Sequence, residues 1–210
     1  MDKTKKRIYK SYTSWVVENK MRPEFIEAFV IEADVSEETF YKHFDSFESL
    51  ERSFWKDLFI EAVSRTSNQS EFVTYSVNEK LLGFYYTWIE VMQEFRDFIV
   101  YSLNELSFHE IYPSEFESLK KYFEEVVGQL IAEGTATGEI AQRPWITDKY
   151  KHLLWSQPVV IIRFWSKDKS ENFSATDALI EKTVNFSFDL MRSNSLDSFA
   201  DLAKFHFQHR

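Results

Sequence analysis

The chain has 210 residues, a formal net charge of −9 at pH 7, no cysteine, and 44% hydrophobic and 18% aromatic residues. Without cysteine there is no disulfide, no thiolate zinc site and no cysteine nucleophile, and the acidic balance argues against indiscriminate nucleic-acid binding. Only four glycines and four prolines occur and no apolar–polar alternation is sustained, which predicts an all-α chain of long helices around a substantial core.

In chain order, Ile8, Tyr12, Trp15 and Val16 share one face of a first helix, and Pro23 opens a second that carries Phe25, Ile26, Phe29 and Val30. Ser36 caps a short third helix, Glu37 to His43, with Phe40, Tyr41 and Phe44 at spacings that share a face. Asp45-Ser46 then starts a longer helix in which Phe47, Leu50, Phe54, Leu58 and Ala62 recur at intervals of three and four. After a polar break at residues 67–70, a helical region runs from about 73 to 107, bent near Glu94, with Leu81, Phe84, Tyr85, Trp88 and Met92 on one side. Tyr112-Pro113-Ser114 breaks the chain before a helix with Phe116, Leu119, Phe123, Val126, Val127 and Leu130, which ends between Gly134 and Gly138. From Trp145 a helix of about 20 residues carries Leu153, Leu154, Trp155, Val159 to Ile162, Phe164 and Trp165; apolar nearly all round at its end, it is expected to be buried on several sides. Residues 175–192 form another helix, with Leu179, Ile180, Val184, Phe186, Phe188 and Leu190. The last segment, 195–210, is amphipathic, with Leu196, Phe199, Leu202, Ala203 and Phe205 near one face, and is expected to pack back on its own domain.

The segment from Val35 to Leu50, VSEETFYKHFDSFESL, reads as the second helix of a helix-turn-helix followed at once by another helix. It resembles the DNA-binding head of TetR-family transcriptional regulators: Ala33, Val35, Ser36, Thr39, Phe40, Tyr41, His43, Phe44, Ser46, Glu48 and Leu50 match that pattern in register over about the first 60 residues. Residues 130–143, LIAEGTATGEIAQR, resemble the stretch that precedes the last two bundle helices in the same family, less specifically. The resemblance implies a three-helix head at residues 1–50 and a helical ligand-binding and dimerisation domain at 51–210, about nine to ten helices in all. It further implies double-stranded DNA as a partner, contacted by Ser36, Thr39, Tyr41, Lys42 and His43, and a homodimer that presents two reading helices to a palindromic site.

Two positions depart from the pattern. Asp34 stands where the family prefers the glycine of the turn, and Phe47 stands where it has a lysine that commonly holds a phosphate. Charge departs as well: from Glu24 to Glu51 there are nine acids (Glu24, Glu27, Glu32, Asp34, Glu37, Glu38, Asp45, Glu48 and Glu51) against one base, Lys42, a balance of −8. Phosphate contacts supply most non-specific affinity, so other cations must compensate; Lys5, Lys6 and Arg7, with Lys3 and Lys10, are the candidates, as a flexible basic arm, though the same cluster equally suits a solvated helix start.

The resemblance also implies a small-molecule pocket coupled to the head. Phe84, Tyr85, Trp88, Tyr101, Phe108, His109, Phe123 and Trp155 are its candidate lining, suited to a hydrophobic effector; the same aromatic residues equally suit a filled core. An alternative reading is a lipid- or isoprenoid-binding accessory protein without DNA binding, similar to the ubiquinone-biosynthesis group that shares the TetR-like scaffold; Phe47 and the acidic head favour it.

Catalysis has little support. The five histidines are scattered, His109-Glu110 lacks the second histidine of a zinc-hydrolase motif, and His206 and His209 have ligand spacing only in a tail. No nucleophile elbow, phosphate loop or dinucleotide fingerprint occurs, so no catalytic residue, metal ligand or cofactor is expected. No apolar run approaches the roughly 18 residues of a membrane span and no charged-then-apolar leader is present. A cytoplasmic protein without integral membrane association is the expectation.

Overall fold

Asp2 starts the fold by accepting hydrogen bonds from the backbone N–H groups of Thr4 and Lys5, both at 2.9 Å. Helix α1 (Lys3–Asn19) begins directly after it and ends where Lys20 turns left-handed at φ 58°. The structure, a computed structural model, describes residues 1–105, 114–143 and 146–192. Helix α2 (Ile26–Glu32) starts later than the position of Pro23 suggests. Phe25, expected inside it, has an extended backbone (φ −125°, ψ 136°) and forms its exposed boundary instead. Helix α3 (Glu37–His43) has the bounds and the Ser36 cap that the sequence predicts, with Ser36 Oγ accepting the Thr39 N–H at 3.1 Å. Helix α4 (Phe47–Ser67) opens on a reciprocal box between Ser46 and Ser49. Such caps satisfy backbone donors that have no intrahelical partner, and each contributes about 1 kcal/mol.

Helix α4 lies at the centre, packed on α5 (Val77–Gln93) and α7 (Glu117–Thr137). The expected helix from about residue 73 begins instead at Val77, because a 3-10 turn occupies Ser70–Thr74 and a Ser76–Glu79 capping box fixes the start. The bend near Glu94 is present: α6 (Arg96–Glu105) leaves it and packs on α1. Helix α7 ends at Gly138, whose left-handed φ of 81° suits glycine. Gly134 lies inside α7 for another reason: a Cβ there would stand 2.9 Å from the side chains of Val77 and Ile140.

The single helix expected from Trp145 is divided. A 3-10 turn at Thr147–Lys149 leads into α8 (Tyr150–Leu154), and α9 (Ser156–Trp165) follows an interruption at Trp155. Pro158 explains the break, since it has no N–H for the Leu154 carbonyl and its ring crowds that oxygen. After left-handed Asn172 and Phe173, α10 (Ser174–Arg192) runs back along α5 and α9. Trp145 and the amphipathic segment 195–210 lie outside the described residues. Every regular element among the described residues is helical, and none of these helices is long and apolar enough to cross a membrane. One buried apolar core runs without interruption from Ile8 to Met191.

Candidate nucleic-acid interface

Short α3 is held by aromatic rings. Phe40, fully buried, meets Phe29 at 6.1 Å, Phe44 at 5.7 Å and Phe47 at 5.8 Å between ring centroids. The turn between α2 and α3 is made by Asp34 at φ 50°, the left-handed conformation expected at a position where glycine is preferred. This packing leaves Tyr41 47% exposed and Lys42 exposed, while Thr39 and His43 are half-buried. Ser36 and Thr39 are engaged with each other, their hydroxyls 2.8 Å apart. Tyr41 and Lys42 are therefore the freest of the five reading candidates.

Phe47 does not occupy a phosphate-facing position. It is 7% exposed and turned into the head core, stacked on Tyr12 at 5.5 Å and edge-on to Phe29 at 5.5 Å. Tyr12 and Phe54 in turn touch Phe98 of α6, at 6.0 and 5.2 Å, so the head core continues into the bundle.

The basic cluster is not an arm. Lys5, Lys6, Arg7 and Lys10 form the first turns of α1, since Asp2 caps that helix and acids on other elements take up the charges. Lys5 Nζ lies 2.8 Å from Asp57 of α4, which also accepts the hydroxyl of fully buried Tyr9 at 2.9 Å. Lys6 and Lys10 both reach Glu94, each at 2.7 Å, and Arg7 stands 3.5 Å from Asp34. The two lysines, together with their hydrogen bonds, hold Glu94 below the ordinary carboxylate range against the opposing effect of burial.

Sequence reasoning missed Arg22, just outside the acidic window it counted. Its guanidinium binds Glu48 and, at 3.1 Å, Glu51. Burial pushes Glu51 up even though Tyr12 and Arg22 hydrogen-bond or attract its charged form; Glu48, hydrogen-bonded at the start of α4 and paired with Arg22, is lowered. Arg7 and Arg22 thus partner three of the nine acids. The other six, Glu24, Glu27, Glu32, Glu37, Glu38 and Asp45, are all exposed. Lys42 makes no ion pair among the described residues, so it is the cation that α3 offers to an anionic partner.

Of the six described residues expected to line an effector pocket, four gather in one place and two, Phe84 and Tyr101, lie elsewhere. Tyr85, Trp88, Phe123 and Trp155 are fully buried in a ring cluster, with Phe123 5.7 Å from Trp155 and stacked on Tyr85 at 6.4 Å, and Trp88 5.4 Å from Phe59. Tyr85 donates to Gln157 at 3.1 Å, and Gln157 donates to the Thr183 carbonyl at 3.2 Å, which ties α5 to α9 and α10. Phe84 stacks elsewhere, on Phe72, and Tyr101 donates to the Lys20 carbonyl at 2.6 Å. Phe108 and His109 lie outside the described residues.

Not all of the apolar surface on the last helices is covered. Leu153 on α8, Val160 and Phe164 on α9 and Phe186 on α10 are 59%, 49%, 42% and 64% exposed. The circumferential apolarity predicted for this region is therefore only partly met within one chain.

A family profile described as "Tetracyclin repressor-like, C-terminal domain" matches residues 80–205. Among solved structures, the chain is similar to one named as a candidate TetR-family transcriptional regulator from Syntrophomonas wolfei str. Goettingen, at TM-score 0.64 and 14% identity, over 90% of this chain and 95% of that one. It is also similar to a candidate TetR-family transcription regulator from Shewanella sp. PV-4, at TM-score 0.52 and 17% identity, over 86% and 97%. At these identities the likeness is one of fold. No curated protein sequence matches the chain.

Proposed function

The chain belongs to the TetR family, and from that premise we propose that it is a DNA-binding transcriptional regulator that works as a homodimer under the control of a hydrophobic effector. The observation that carries the reading is α3 itself: a serine-capped helix, set by a left-handed turn and fixed from behind by Phe40, that holds Tyr41 and Lys42 in solvent. A helix entering the major groove needs side chains of this kind, one able to hydrogen-bond base edges and one able to meet phosphate or a guanine edge. Lys5, Lys6 and Arg7 act within this reading by fixing α1 rather than by reaching along the duplex. Five basic side chains of the head are already paired with acids, so affinity rests more on base and groove fit and less on counterion release.

The exposed Val160, Phe164 and Phe186 support homodimerisation, because apolar side chains on neighbouring helices are the material of an isologous interface. The rings about Phe123 are in contact with one another, and an effector there would have to part them to enter. Its differential affinity for the parted and closed arrangements would then shift the head.

A fluorescence-anisotropy titration against the duplex upstream of the chain's own gene and a scrambled duplex, at about 50 and 200 mM salt, tests the reading. Sequence-specific binding that is lost in Tyr41→Ala and Lys42→Ala is expected. No binding at the lower salt would discard the regulator.

A further inference from the structure

Between α5 and the α9–α10 connection lies an open groove of about 390 Å³. Tyr86, Ile89, Glu90 and Gln93 line it from one face of α5, at successive helical spacings, and Asn172, Phe173 and Asp177 close it opposite. The floor is apolar: Ile89 is 4% exposed, and the Phe173 ring is fixed against Trp165 at 5.9 Å. Arg96 of α6 holds Phe173 in place, its guanidinium 5.2 Å from that ring and 5.4 Å from Trp165, with the Ser166 and Asp168 carbonyls each 3.4 Å from its Nη2.

The rim, by contrast, has uncompensated charge. Glu90 and Asp177 are exposed and make no ion pair among the described residues, and no base lines the groove. Behind Asp177 lies a further carboxylate, Asp168, kept ionised by hydrogen bonds from Ser170 and Thr176. Burial and Asp168 together raise the carboxyl of Asp177, and burial with Glu181 and Asp177 raises the Tyr86 hydroxyl. In both, burial is the first cause and the neighbouring carboxylates add to it; no basic side chain lines the groove among the described residues, the guanidinium of Arg96 lying against the ring of Phe173.

We propose that this groove binds an organic ammonium ion, its hydrocarbon part against Tyr86, Ile89 and Phe173 and its charge toward Glu90 and Asp177. Aromatic faces and carboxylates together select a substituted ammonium, because the rings attract the cation through their quadrupoles while tolerating its alkyl groups. A bare divalent metal fits poorly, since it requires six or more oxygen ligands and gains nothing from rings. A neutral hydrophobe fits poorly too, as it would desolvate two carboxylates without pairing them. The site is separate from the buried cluster around Phe123 and does not depend on whether the chain binds DNA.

The test is calorimetric titration of the full chain with choline and with 3,3-dimethylbutan-1-ol, its neutral isostere, to millimolar concentrations. Choline is expected to bind about fivefold or more tightly than the isostere. The preference should fall in Tyr86→Leu, and should vanish in the Glu90→Gln/Asp177→Asn double variant, whose circular dichroism and melting temperature report that it remains folded. Equal binding of the two compounds, no binding of either, or a cation preference that survives in the folded double variant would each overturn the proposal.

Discussion

Replacing Asp57 with alanine removes the group that joins α1 to α4 at the base of the head. Two partners lose it. The hydroxyl of Tyr9, in a fully buried side chain, is left without its acceptor, which costs about 1–3 kcal/mol. Lys5 loses a 2.8 Å ion pair, but with 26% of its side chain exposed it can turn to water, so that part is worth no more than about 1 kcal/mol. Together the change should destabilise the chain by about 1–4 kcal/mol, or roughly 2–16 °C in Tm at this chain length. Urea unfolding followed by circular dichroism, read with the thermal midpoint, measures it. Asp57→Asn keeps an acceptor for Tyr9 and should lose less, and Lys5→Met should cost least of the three. If Asp57→Ala melts within about 0.5 kcal/mol of the parent, or if Lys5→Met costs as much as Asp57→Ala, the reasoning that places the buried tyrosine hydroxyl at the centre of this contact is refuted.

Installing the lysine of the family pattern, Phe47→Lys, should not create a phosphate contact; it puts an ammonium among Tyr12, Phe29 and Phe40 and should destabilise by about 2–4 kcal/mol even allowing the chain to snorkel. Unchanged stability with a gain in DNA affinity would show that residue 47 faces the duplex. Glutamate at Val160, Phe164 or Phe186 should convert a dimer to monomer in light scattering behind size exclusion, and an unaltered mass in all three variants would remove these residues from the interface. The carboxyl of Asp168 is desolvated, which alone would raise its pKa, yet hydrogen bonds from Thr176 and Ser170 bring it down to about 2. Because the folded value lies below the unfolded one of about 4, the stabilisation is complete above that range and is lost as pH falls through about 2. Asp168→Ala should therefore melt below the parent at pH 7, with the gap closing through acid titration; a gap independent of pH would contradict the assignment.

The parts of the fold legible in the sequence were those governed by short-range chemistry. Ser36, Ser46 and the periodic Phe40, Phe44 and Leu50 located α3 and the start of α4; Asp34, read as a departure from the pattern, makes the left-handed turn all the same because aspartate tolerates that conformation. The helix expected from Trp145 rests on apolar residues that run on across Pro158, and that proline, which gives the Leu154 carbonyl no donor, divides it. What the sequence did not reveal were pairings across long separations. Nothing local to Lys6 and Lys10 points to Glu94, or to Arg22 as the partner of Glu48 and Glu51, and a charge count over a window treats such residues as free. Periodicity likewise places Phe84 and Tyr85 on one side of α5 without revealing that they meet different rings, Phe72 and Phe123.

Glu94 and Arg96 stand on either side of the bend between α5 and α6. One takes two lysines of α1, and the other clasps the end of α9 and the ring of Phe173. Exchange of the head alone therefore touches charges of the bundle as well. A head grafted from a relative onto this bundle without basic residues at the positions of Lys6 and Lys10 leaves Glu94 unpaired, a loss of up to about 1 kcal/mol for pairs as exposed as these. Two positions in α1 are thereby matched to one in the bundle, and a recombinant head keeps that match only if it carries both bases.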